Sequence, residues 1–244
     1  MTRKPLILSL ALCAFAEGFA ISTAHAEGGG GERSVDPQAE SRKSRATKLM
    51  NLTGDSEFAD DRGAWDKTYN RKDYVYGKEP SAFLVKHVSK LPKGRALDIA
   101  MGEGRHAVYL AKKGFQVEGV DISSVGLRKA QKLAAENGVK LKTINADLNK
   151  FKIQPNSYMV IMNFYYLQRN LFPQIIAGLK KGGVLVFETN TMEQLQNPGG
   201  KDMEKEYLLE PGELKEAFSE LEIVHYSETN DGKNAVASLI ARKR

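Results

Sequence analysis

A glycine-rich turn next to an acidic residue is the part of this sequence best suited to chemistry. Asp98 precedes the turn, which contains Gly102 and Gly104 and follows a short apolar run at residues 95–100. Glycines at a strand-to-helix turn let a ligand approach the backbone closely, and the next helix N-terminus offers free N–H groups. The alternative is a tight turn that binds no ligand, so the turn alone does not establish a binding site.

Two further acids follow the next two predicted strands. Asp121 ends the second strand and Asp147 ends the third. In a βαβ unit, a carboxylate at the first of these positions can accept from both hydroxyls of a ribose. The second could accept from the exocyclic amine of a purine. Each acid alone could cap a helix or a turn. Three acids at three successive strand ends, around one glycine turn, predict a nucleoside-bearing ligand at the carboxyl edge of the sheet.

Two kinds of nucleoside ligand compete for this site. Gly102, Gly104 and Ala107 satisfy the dinucleotide-binding pattern, so a nicotinamide-dependent reductase is an alternative function. Asp98 would face a pyrophosphate with like charge, but it is well placed to receive a ligand ammonium. The C-terminal part also predicts a hairpin rather than a second mononucleotide-binding half. Both features argue against a nicotinamide cofactor.

Alternating strand and helix signals position these residues. Apolar runs predict strands at residues 95–100, 115–121, 139–145, 157–163 and 184–189, and helices at 104–113, 123–137, 171–180 and 211–219. Such alternation implies a parallel α/β sheet. Two later runs, 221–228 and 234–241, flank a turn that is typical of a hairpin. The predicted fold is α/β, a Rossmann-like, mostly parallel seven-stranded sheet with helices on both faces and a C-terminal antiparallel hairpin.

Four motifs resemble those of class I S-adenosylmethionine-dependent methyltransferases. They are Asp98-x-Ala100-x-Gly102-x-Gly104, Gly119-Val120-Asp121-Ile122-Ser123, Ala146-Asp147-Leu148 and Leu179-Lys180-Lys181-Gly182-Gly183. Three other segments are similar to the tellurite-resistance-type small-molecule subgroup: Trp65-Asp66-x-x-Tyr69, Tyr76-Gly77-x-Glu79-Pro80 and Tyr207-Leu208-Leu209-x-Pro211-Gly212-Glu213-Leu214. The resemblance covers residues 62–243.

The sequence departs from the subgroup at a few positions. Met101 stands where the subgroup often has cysteine, and His106 where it often has asparagine. The segment that begins at Asn163 lacks the Asn-Pro-Pro-aromatic motif of nucleic-acid amine methyltransferases. The formal net charge of +6 is a mild excess for a chain of 244 residues. No nucleic-acid partner is therefore expected.

The resemblance implies S-adenosylmethionine as the cofactor. Asp98 and the glycine-turn backbone would hold its methionine portion, Asp121 its ribose, and Asp147 with Leu148 its adenine. Three aromatic residues are expected to close over it, with packing of an N-terminal helix as the alternative. The full set of expected cofactor contacts is Trp65, Tyr69, Tyr76, Asp98, Ala100, Gly102, Gly104, Asp121, Ile122, Asp147, Leu148 and Asn163.

Catalytic candidates lie at or after the fourth strand, where an acceptor would bind. They are Asn163, Tyr165, which could orient the acceptor, and Arg169, which could attract an anionic one. Each could instead be a packed or solvated residue. No general base stands out, which suits a soft nucleophile such as a thiolate or a chalcogen anion. The expected function is methyl transfer to a small molecule, a thiol or chalcogen oxyanion being the candidate, with a non-catalytic S-adenosylmethionine-binding scaffold as a second alternative.

The N-terminal region has the layout of a targeting segment. Arg3 and Lys4 precede the apolar run Leu6–Ala16, and Ala24-His25-Ala26 resembles a cleavage site, so residues 1–26 are predicted to be a signal peptide. The run is too short to span a bilayer, and no stable membrane span is expected after cleavage. Export to the periplasm is expected, or a cytoplasmic location if this interpretation is wrong.

The rest of the chain divides into two parts. Residues 27–60 are predicted to be a flexible linker, because they hold few sizeable apolar residues. Residues 61–244 are predicted to be the methyltransferase domain. Cys13 is the single cysteine, which excludes a disulfide framework and a cysteine-rich zinc site. The four histidines show no metal-ligand spacing. The sequence indicates no oligomeric state.

Overall fold

Seven strands form one sheet within residues 61–244, the part of the chain that the computed structural model describes. The predicted signal peptide and linker lie outside the described residues. The strands are β1 Arg95–Ile99, β2 Gln116–Asp121, β3 Lys142–Asn145, β4 Tyr158–Phe164, β5 Leu179–Asn190, β6 Glu222–Asn230 and β7 Ala235–Arg242. Their spatial order is β3-β2-β1-β4-β5-β7-β6.

Strand direction places the predicted site residues along one edge. Strands β1 to β5 pair in parallel, whereas β7 pairs antiparallel with both β5 and β6. Ile99 at the end of β1 lies opposite Val120 of β2 and Asn163 of β4. The carboxyl ends of the parallel strands therefore meet at one edge. This arrangement confirms the fold class predicted from the sequence.

Six helices surround this sheet in the described part of the chain. They are α1 Asp61–Tyr69, α2 Ala82–His87, α3 Arg105–Lys112, α4 Ser124–Glu136, α5 Phe172–Gly178 and α6 Glu213–Ala217. Ser123 caps α4, since its side chain accepts from the Gly126 N–H. Across residues 61–244, no helix combines the length and the apolar character needed to cross a membrane.

The core lies on both faces of the sheet because successive strand residues point to opposite faces. Leu97, Ile99 and Phe187 belong to one cluster, which α5 and α6 complete. Ala96 and Val160 belong to the other, which α2, α3 and α4 cover. Asp98 therefore shares a face with Ala96, on the side that α3 covers.

The β3–β4 connection is a turn region, in which the Asp147 carboxylate accepts from the Asn149 N–H at 2.8 Å. The start of β5 differs from the sequence prediction. Strand β5 begins at Leu179 rather than at residue 184. The predicted helix ends early, at Gly178, where a Cβ would lie 2.6 Å from the Ile153 side chain.

Candidate cofactor site

Asp121 organises the glycine turn from the end of β2. Its Oδ2 accepts from the Gly102 N–H at 2.7 Å, and its Oδ1 accepts from the Ser123 N–H at 2.8 Å. Burial raises the pKa of Asp121 to about 6, although these two N–H groups act to lower it. Each oxygen keeps a second lone pair. The carboxylate can therefore accept hydroxyl donors from a ligand, which is the role expected with a ribose.

Asp98 is a buried acid with an unsatisfied oxygen. Its side chain is 1% exposed, and Oδ2 has no hydrogen-bond partner within residues 61–244. Burial and the nearby Asp121 raise the pKa of Asp98 well above its ordinary value, while Arg105 and the Ala107 N–H act to lower it. A buried polar atom without a partner costs free energy. The site therefore fits a ligand ammonium, as S-adenosylmethionine would supply.

The turn itself depends on close packing. A Cβ at Gly104, where φ is +83°, would lie 2.6 Å from the Ala130 Cβ, so α4 can approach only a glycine here. A Cβ at Gly102 would lie 2.7 Å from the Tyr69 hydroxyl oxygen. Ala100 also has a positive φ, +52°, which is uncommon for a residue other than glycine. The backbone is thus held in a specific shape between Asp98 and α3.

The three predicted aromatic residues form one cluster over this turn. Tyr69 is buried and stacks on Trp65 with ring centroids 5.5 Å apart. Tyr76 meets Tyr69 edge-on at 6.4 Å and is 38% exposed. The structure therefore brings these side chains together beside Gly102. It also shows that Tyr69 packs α1 against the turn.

The segment that carries these aromatics, residues 61–77, is called here the cover segment. Asp66 ties it to the start of α4, because its carboxylate accepts from the Ser123 hydroxyl at 2.6 Å and from the Val125 N–H at 3.1 Å. Burial raises the pKa of Asp66, but these donors and Arg128 outweigh it, so the pKa lies below its ordinary value. Asp66 thus acts as an additional cap for α4.

A second attachment of the cover segment was not predicted. The Lys129 ammonium lies 2.5 Å from Glu103 Oε1 and donates to the backbone oxygen of Asp73 at 2.7 Å. Glu103 Oε2 accepts from the Val75 N–H at 2.7 Å. Both side chains are largely buried. The sequence carries no signal for this network, because Glu103 occupies a variable position of the turn motif and its partners lie on other elements.

A cleft lies at the predicted adenine position. Its volume is 640 Å³, and it opens at the ends of β2 and β3. Leu148 is buried nearby, whereas the Asp147 carboxylate is held by the Asn149 N–H. The cleft is lined by Arg62, Ile122, Ala146, Asp147, Lys150, Phe151 and Lys152. Two of the predicted contacts, Ile122 and Asp147, therefore share one concave surface.

The predicted acceptor residues differ in their surroundings. Asn163 is buried at the end of β4, and its Nδ2 donates to the Tyr166 carbonyl oxygen at 2.6 Å. Tyr165 is 46% exposed and has a φ of +55°. Its hydroxyl donates to Glu188 Oε1 at 3.3 Å. Of these residues, Tyr165 is the one that presents its side chain to solvent at the edge.

Arg169 does not present its charge to the edge of the sheet. Its Nε and Nη2 donate to the two oxygens of Glu213 at 2.5 and 2.9 Å. Nη1 donates to the carbonyl oxygen of Glu206, and Nη2 also donates to that of Leu208. The guanidinium therefore links the segment after β4 to α6 and the turn before it. This geometry argues against the predicted attraction of an anionic acceptor and gives Arg169 a structural role.

Glu188 is a further carboxylate at this edge that sequence reasoning missed. It is buried in β5, where its oxygens accept from the hydroxyls of Ser81 at 2.6 Å and Ser238 at 2.9 Å, besides Tyr165. The sequence offered one signal for it, an acidic residue within the apolar pattern of the fifth predicted strand. Its partners are the N-cap residue of α2, the residue after β4 and a residue of β7, so the sequence could not reveal them.

His106 packs within the fold instead of binding a metal. Its ring stacks on Phe164 at 4.1 Å, and burial lowers its pKa well below the ordinary value. It is therefore neutral near pH 7. Among residues 61–244, no group of three or more histidine, cysteine, aspartate or glutamate side chains could hold a metal ion.

Comparison with known proteins agrees with this geometry. Residues 96–183 match the family model described as a methyltransferase domain. The probable S-adenosyl-L-methionine-dependent methyltransferase TehB of Haemophilus influenzae is 24% identical over 168 residues, which are 62% of this chain and 57% of that protein. The chain therefore spans little more than half the length of this relative.

Other similar proteins include RNA methyltransferases and proteins of known structure. The ribosomal RNA small subunit methyltransferase C of Alcanivorax borkumensis is 31% identical over 40% of this chain and 32% of its own length. The crystal structure of TehB from Haemophilus influenzae superposes with a TM-score of 0.58 at 19% identity, over 75% of this chain and 67% of that one. At this identity the superposition establishes the fold alone.

Proposed function

We propose that this chain is a class I S-adenosylmethionine-dependent methyltransferase of the TehB type and that it transfers the cofactor's methyl group to a small-molecule acceptor; the methyltransferase-domain match and the TehB relative support this. The bound cofactor supplies a methyl group that is already activated on a sulfonium. The protein must then position the acceptor in line with that methyl group and exclude water. The cover segment, fixed through Asp66 and Lys129, is well placed to exclude water.

The unsatisfied oxygen of Asp98 carries the proposal for the donor. A buried carboxylate oxygen without a partner within residues 61–244 lies at the start of the glycine turn. The S-adenosylmethionine ammonium would complete it, and Asp121 keeps lone pairs for the ribose hydroxyls. A nicotinamide cofactor would instead bring its pyrophosphate against a second negative charge. This charge pattern favours the sulfonium donor over the reductase alternative.

A small nucleophile that is already ionised is the acceptor class that we propose. Glu188, a carboxylate bonded to Tyr165, is occupied by three hydroxyl donors, and His106 is buried against Phe164. A thiolate or a chalcogen oxyanion needs no base. The mild net charge, and the sequence Asn163-Phe164-Tyr165-Tyr166 in place of an Asn-Pro-Pro-aromatic motif, support a small molecule rather than a nucleic acid.

The experiment is calorimetric titration of the full chain, followed by a transfer assay. We expect S-adenosylmethionine and S-adenosylhomocysteine to bind with micromolar affinity and reduced nicotinamide cofactors not to bind. Methyl-labelled donor is then incubated with thiols, selenite, tellurite and total RNA. Label in RNA alone would contradict the small-molecule proposal. Donor binding without label in any acceptor would favour the non-catalytic scaffold.

We also propose that residues 1–26 direct export. The basic residues, apolar run and small residues around the predicted cleavage site support it. Expression of the full chain in a bacterium, followed by fractionation and N-terminal sequencing, tests the proposal. A periplasmic protein beginning at Glu27 is expected. A cytoplasmic protein that keeps its first 26 residues would contradict it.

A further inference from the structure

A second cavity lies at the amino edge of the parallel strands, opposite the candidate cofactor site. Its volume is 160 Å³, and α2, β5, β6 and β7 all contribute to its walls. Val184, in one wall, pairs with Val160 near the start of β4, and Arg242, in another, is the last residue of β7. This space is called here the amino-edge cavity. It shares no lining residue with the cleft at the predicted adenine position.

Part of the wall of the amino-edge cavity is apolar. Leu91, Val184 and Ile240 line it, and all three are buried. They belong to the core cluster that α2 covers. An apolar cavity of about 150 Å³ can hold a benzene molecule. The amino-edge cavity is therefore large enough for a ligand with an apolar body of about that size.

His87 gives the cavity a buried polar group. It is 8% exposed, and its Nε2 has no hydrogen-bond partner within residues 61–244. Its ring centroid lies 4.9 Å from that of Phe83 and 5.1 Å from that of His225. The His225 Nε2 lies 3.3 Å from the Ser227 hydroxyl oxygen, so that histidine already has a partner. An unpaired buried nitrogen costs free energy, and a ligand that accepts a hydrogen bond from it would remove this cost.

Lys90 and Arg242 make the cavity positively charged. Both line it, and both are exposed. Neither takes part in any ion pair found within residues 61–244. Glu222 lies opposite Arg242 in the β6–β7 pairing, but its carboxylate is 3.7 Å from the Nε of Arg244. In the described part of the chain, none of the residues that line the cavity is acidic.

The titration of His87 agrees with this positive environment. Burial lowers the pKa of His87, and the nearby His225, Lys86 and Lys90 lower it further. All of these influences disfavour a positive charge on the imidazole. An anion in the cavity would oppose them, because it would stabilise the imidazolium. Shape and charge therefore indicate the same kind of ligand, an anion with a small apolar body.

We propose that the amino-edge cavity binds a small organic carboxylate. The apolar body packs on the buried walls, and the carboxylate contacts His87, Lys90 and Arg242. A metal ion is the other ligand that two neighbouring histidines could take. The lysine and the arginine would repel it, and no group of three or more histidine, cysteine, aspartate or glutamate side chains within residues 61–244 could hold one. The inference does not depend on the proposed methyl transfer, because it uses none of the donor or acceptor residues.

Three probes separate the apolar body from the charge. Benzoate has both, benzyl alcohol keeps the ring without the charge, and inorganic phosphate keeps negative charge without the ring. In calorimetric titrations of the full chain near pH 7, benzoate should bind at least tenfold more tightly than either of the others. Only benzoate both pairs with the cations and fills the apolar space. Saturating S-adenosylhomocysteine should leave benzoate binding unchanged, since the two sites lie at opposite edges of the sheet.

Replacing the exposed cations tests the charge without disturbing the core. Lys90→Met/Arg242→Met should weaken benzoate binding by about tenfold or more and leave benzyl alcohol binding unchanged. His87→Phe keeps a packed ring but removes the nitrogen, and should weaken benzoate binding by about tenfold. The control Lys140→Met removes an exposed charge before β3, at the other margin of the sheet, and should change neither affinity. Thermal melting establishes that each variant is folded.

Proton NMR of the imidazole rings gives a second readout. Bound benzoate should raise the pKa of His87, because a carboxylate near the ring favours its charged form. The spectrum of His87→Phe identifies which resonance belongs to this residue. A titration curve that stays unchanged at saturating benzoate would place the ligand elsewhere and overturn the inference.

The other outcomes are equally distinct. Equal affinity for benzoate and benzyl alcohol would show that the cavity does not recognise charge, and tighter binding of phosphate would show that it does not use its apolar walls. Either result contradicts the inference. Zinc binding that requires His87, without benzoate binding, would identify a metal site and also contradict it. Competition between benzoate and S-adenosylhomocysteine would place benzoate in the cofactor site. If benzoate does not bind while S-adenosylmethionine does, this inference fails and the proposed function is unaffected.

Discussion

The two halves of the carboxyl edge satisfy their charges in different ways. In the donor half, at the ends of β1 and β2, Asp98 has a buried oxygen that lacks a partner within residues 61–244. In the acceptor half, at the ends of β4 and β5, Arg169 is bound to Glu213, and Glu188 accepts from hydroxyls at the N-cap of α2, just after β4 and on β7. One half is incomplete without a ligand, and the other is complete within the fold.

This difference explains why the donor is easier to infer than the acceptor. An unsatisfied buried charge lowers stability unless a ligand compensates it, so its sign and position describe the missing group. A charged group whose hydrogen bonds are all made within the protein gives no information about a ligand. The donor half therefore indicates a cationic group at Asp98 and hydroxyl donors at Asp121, whereas the acceptor half presents the exposed and uncharged Tyr165.

Replacing Arg169 should change the free energy of unfolding more than any other substitution considered. Arg169→Met leaves the Glu213 carboxylate largely buried without its partner, and should lower the free energy of unfolding by about 3–5 kcal/mol. Donor affinity should not change. Urea denaturation and calorimetry on the same samples measure both quantities.

The double variant Arg169→Met/Glu213→Leu is the control for this loss. It removes both charges, so much of the lost stability should return. If Arg169→Met is as stable as the wild type and yet loses methyl transfer, Arg169 binds the acceptor. The two halves of the edge would then be more alike than the structure indicates.

The pH dependence of the free energy of unfolding should show how much the buried Asp121 carboxylate destabilises the folded protein. Its pKa rises from the ordinary value of 3.8 to about 6 in the folded protein. The folded chain therefore holds this proton more tightly than the unfolded chain, and stability falls as pH rises from about 4 to about 6. Two pKa units correspond to about 3 kcal/mol.

Comparison with Asp121→Asn isolates this contribution. His87 and His106 have lowered pKa values and change stability in the opposite direction, but they are present in both proteins. The stability difference should therefore shift in favour of the variant between these pH values. Saturating S-adenosylhomocysteine should reduce the shift, because ribose hydroxyls favour the ionised carboxylate. A constant difference from pH 4 to pH 7 would contradict the assignment.

Local sequence signals are clearest in the donor half. The glycine turn and the acids that follow it lie at strand ends because strand, turn and helix are contiguous in the chain. The start of β5 was predicted less well, since the helix predicted to run to residue 180 ends at Gly178 and the strand begins at Leu179. The resemblance of the motifs predicted S-adenosylmethionine as the cofactor, and the comparisons with known proteins support this prediction.

The acceptor half could not be predicted in the same way. Ser81 and Glu188 are 107 residues apart, and Arg169 and Glu213 are 44 residues apart. No local pattern indicates that such side chains meet. An arginine after β4 and a glutamate in β5 therefore look like free functional groups until the tertiary structure shows their partners.

Asp98→Asn tests the donor half directly, because its two effects should have opposite signs. Removing a buried acid with a raised pKa should stabilise the ligand-free protein by about 1–3 kcal/mol near pH 7. The same change should weaken S-adenosylmethionine binding by about 2 kcal/mol, the contribution of a charged hydrogen bond. Melting curves with and without ligand measure both. A variant that loses stability and keeps its affinity would show that Asp98 is structural.

Glu188→Gln is the matching change in the acceptor half, and its effect should be smaller and of one sign. The amide nitrogen must replace one oxygen that now accepts from hydroxyls. Those hydroxyls can reorient, so we expect a loss of about 1–2 kcal/mol in stability. Donor affinity should stay unchanged, since Asp98 and Asp121 lie on other strands. If this variant is instead more stable and loses donor affinity, as expected for Asp98→Asn, then both acids belong to one ligand site. The boundary between the halves would then lie beyond β5 rather than between β1 and β4.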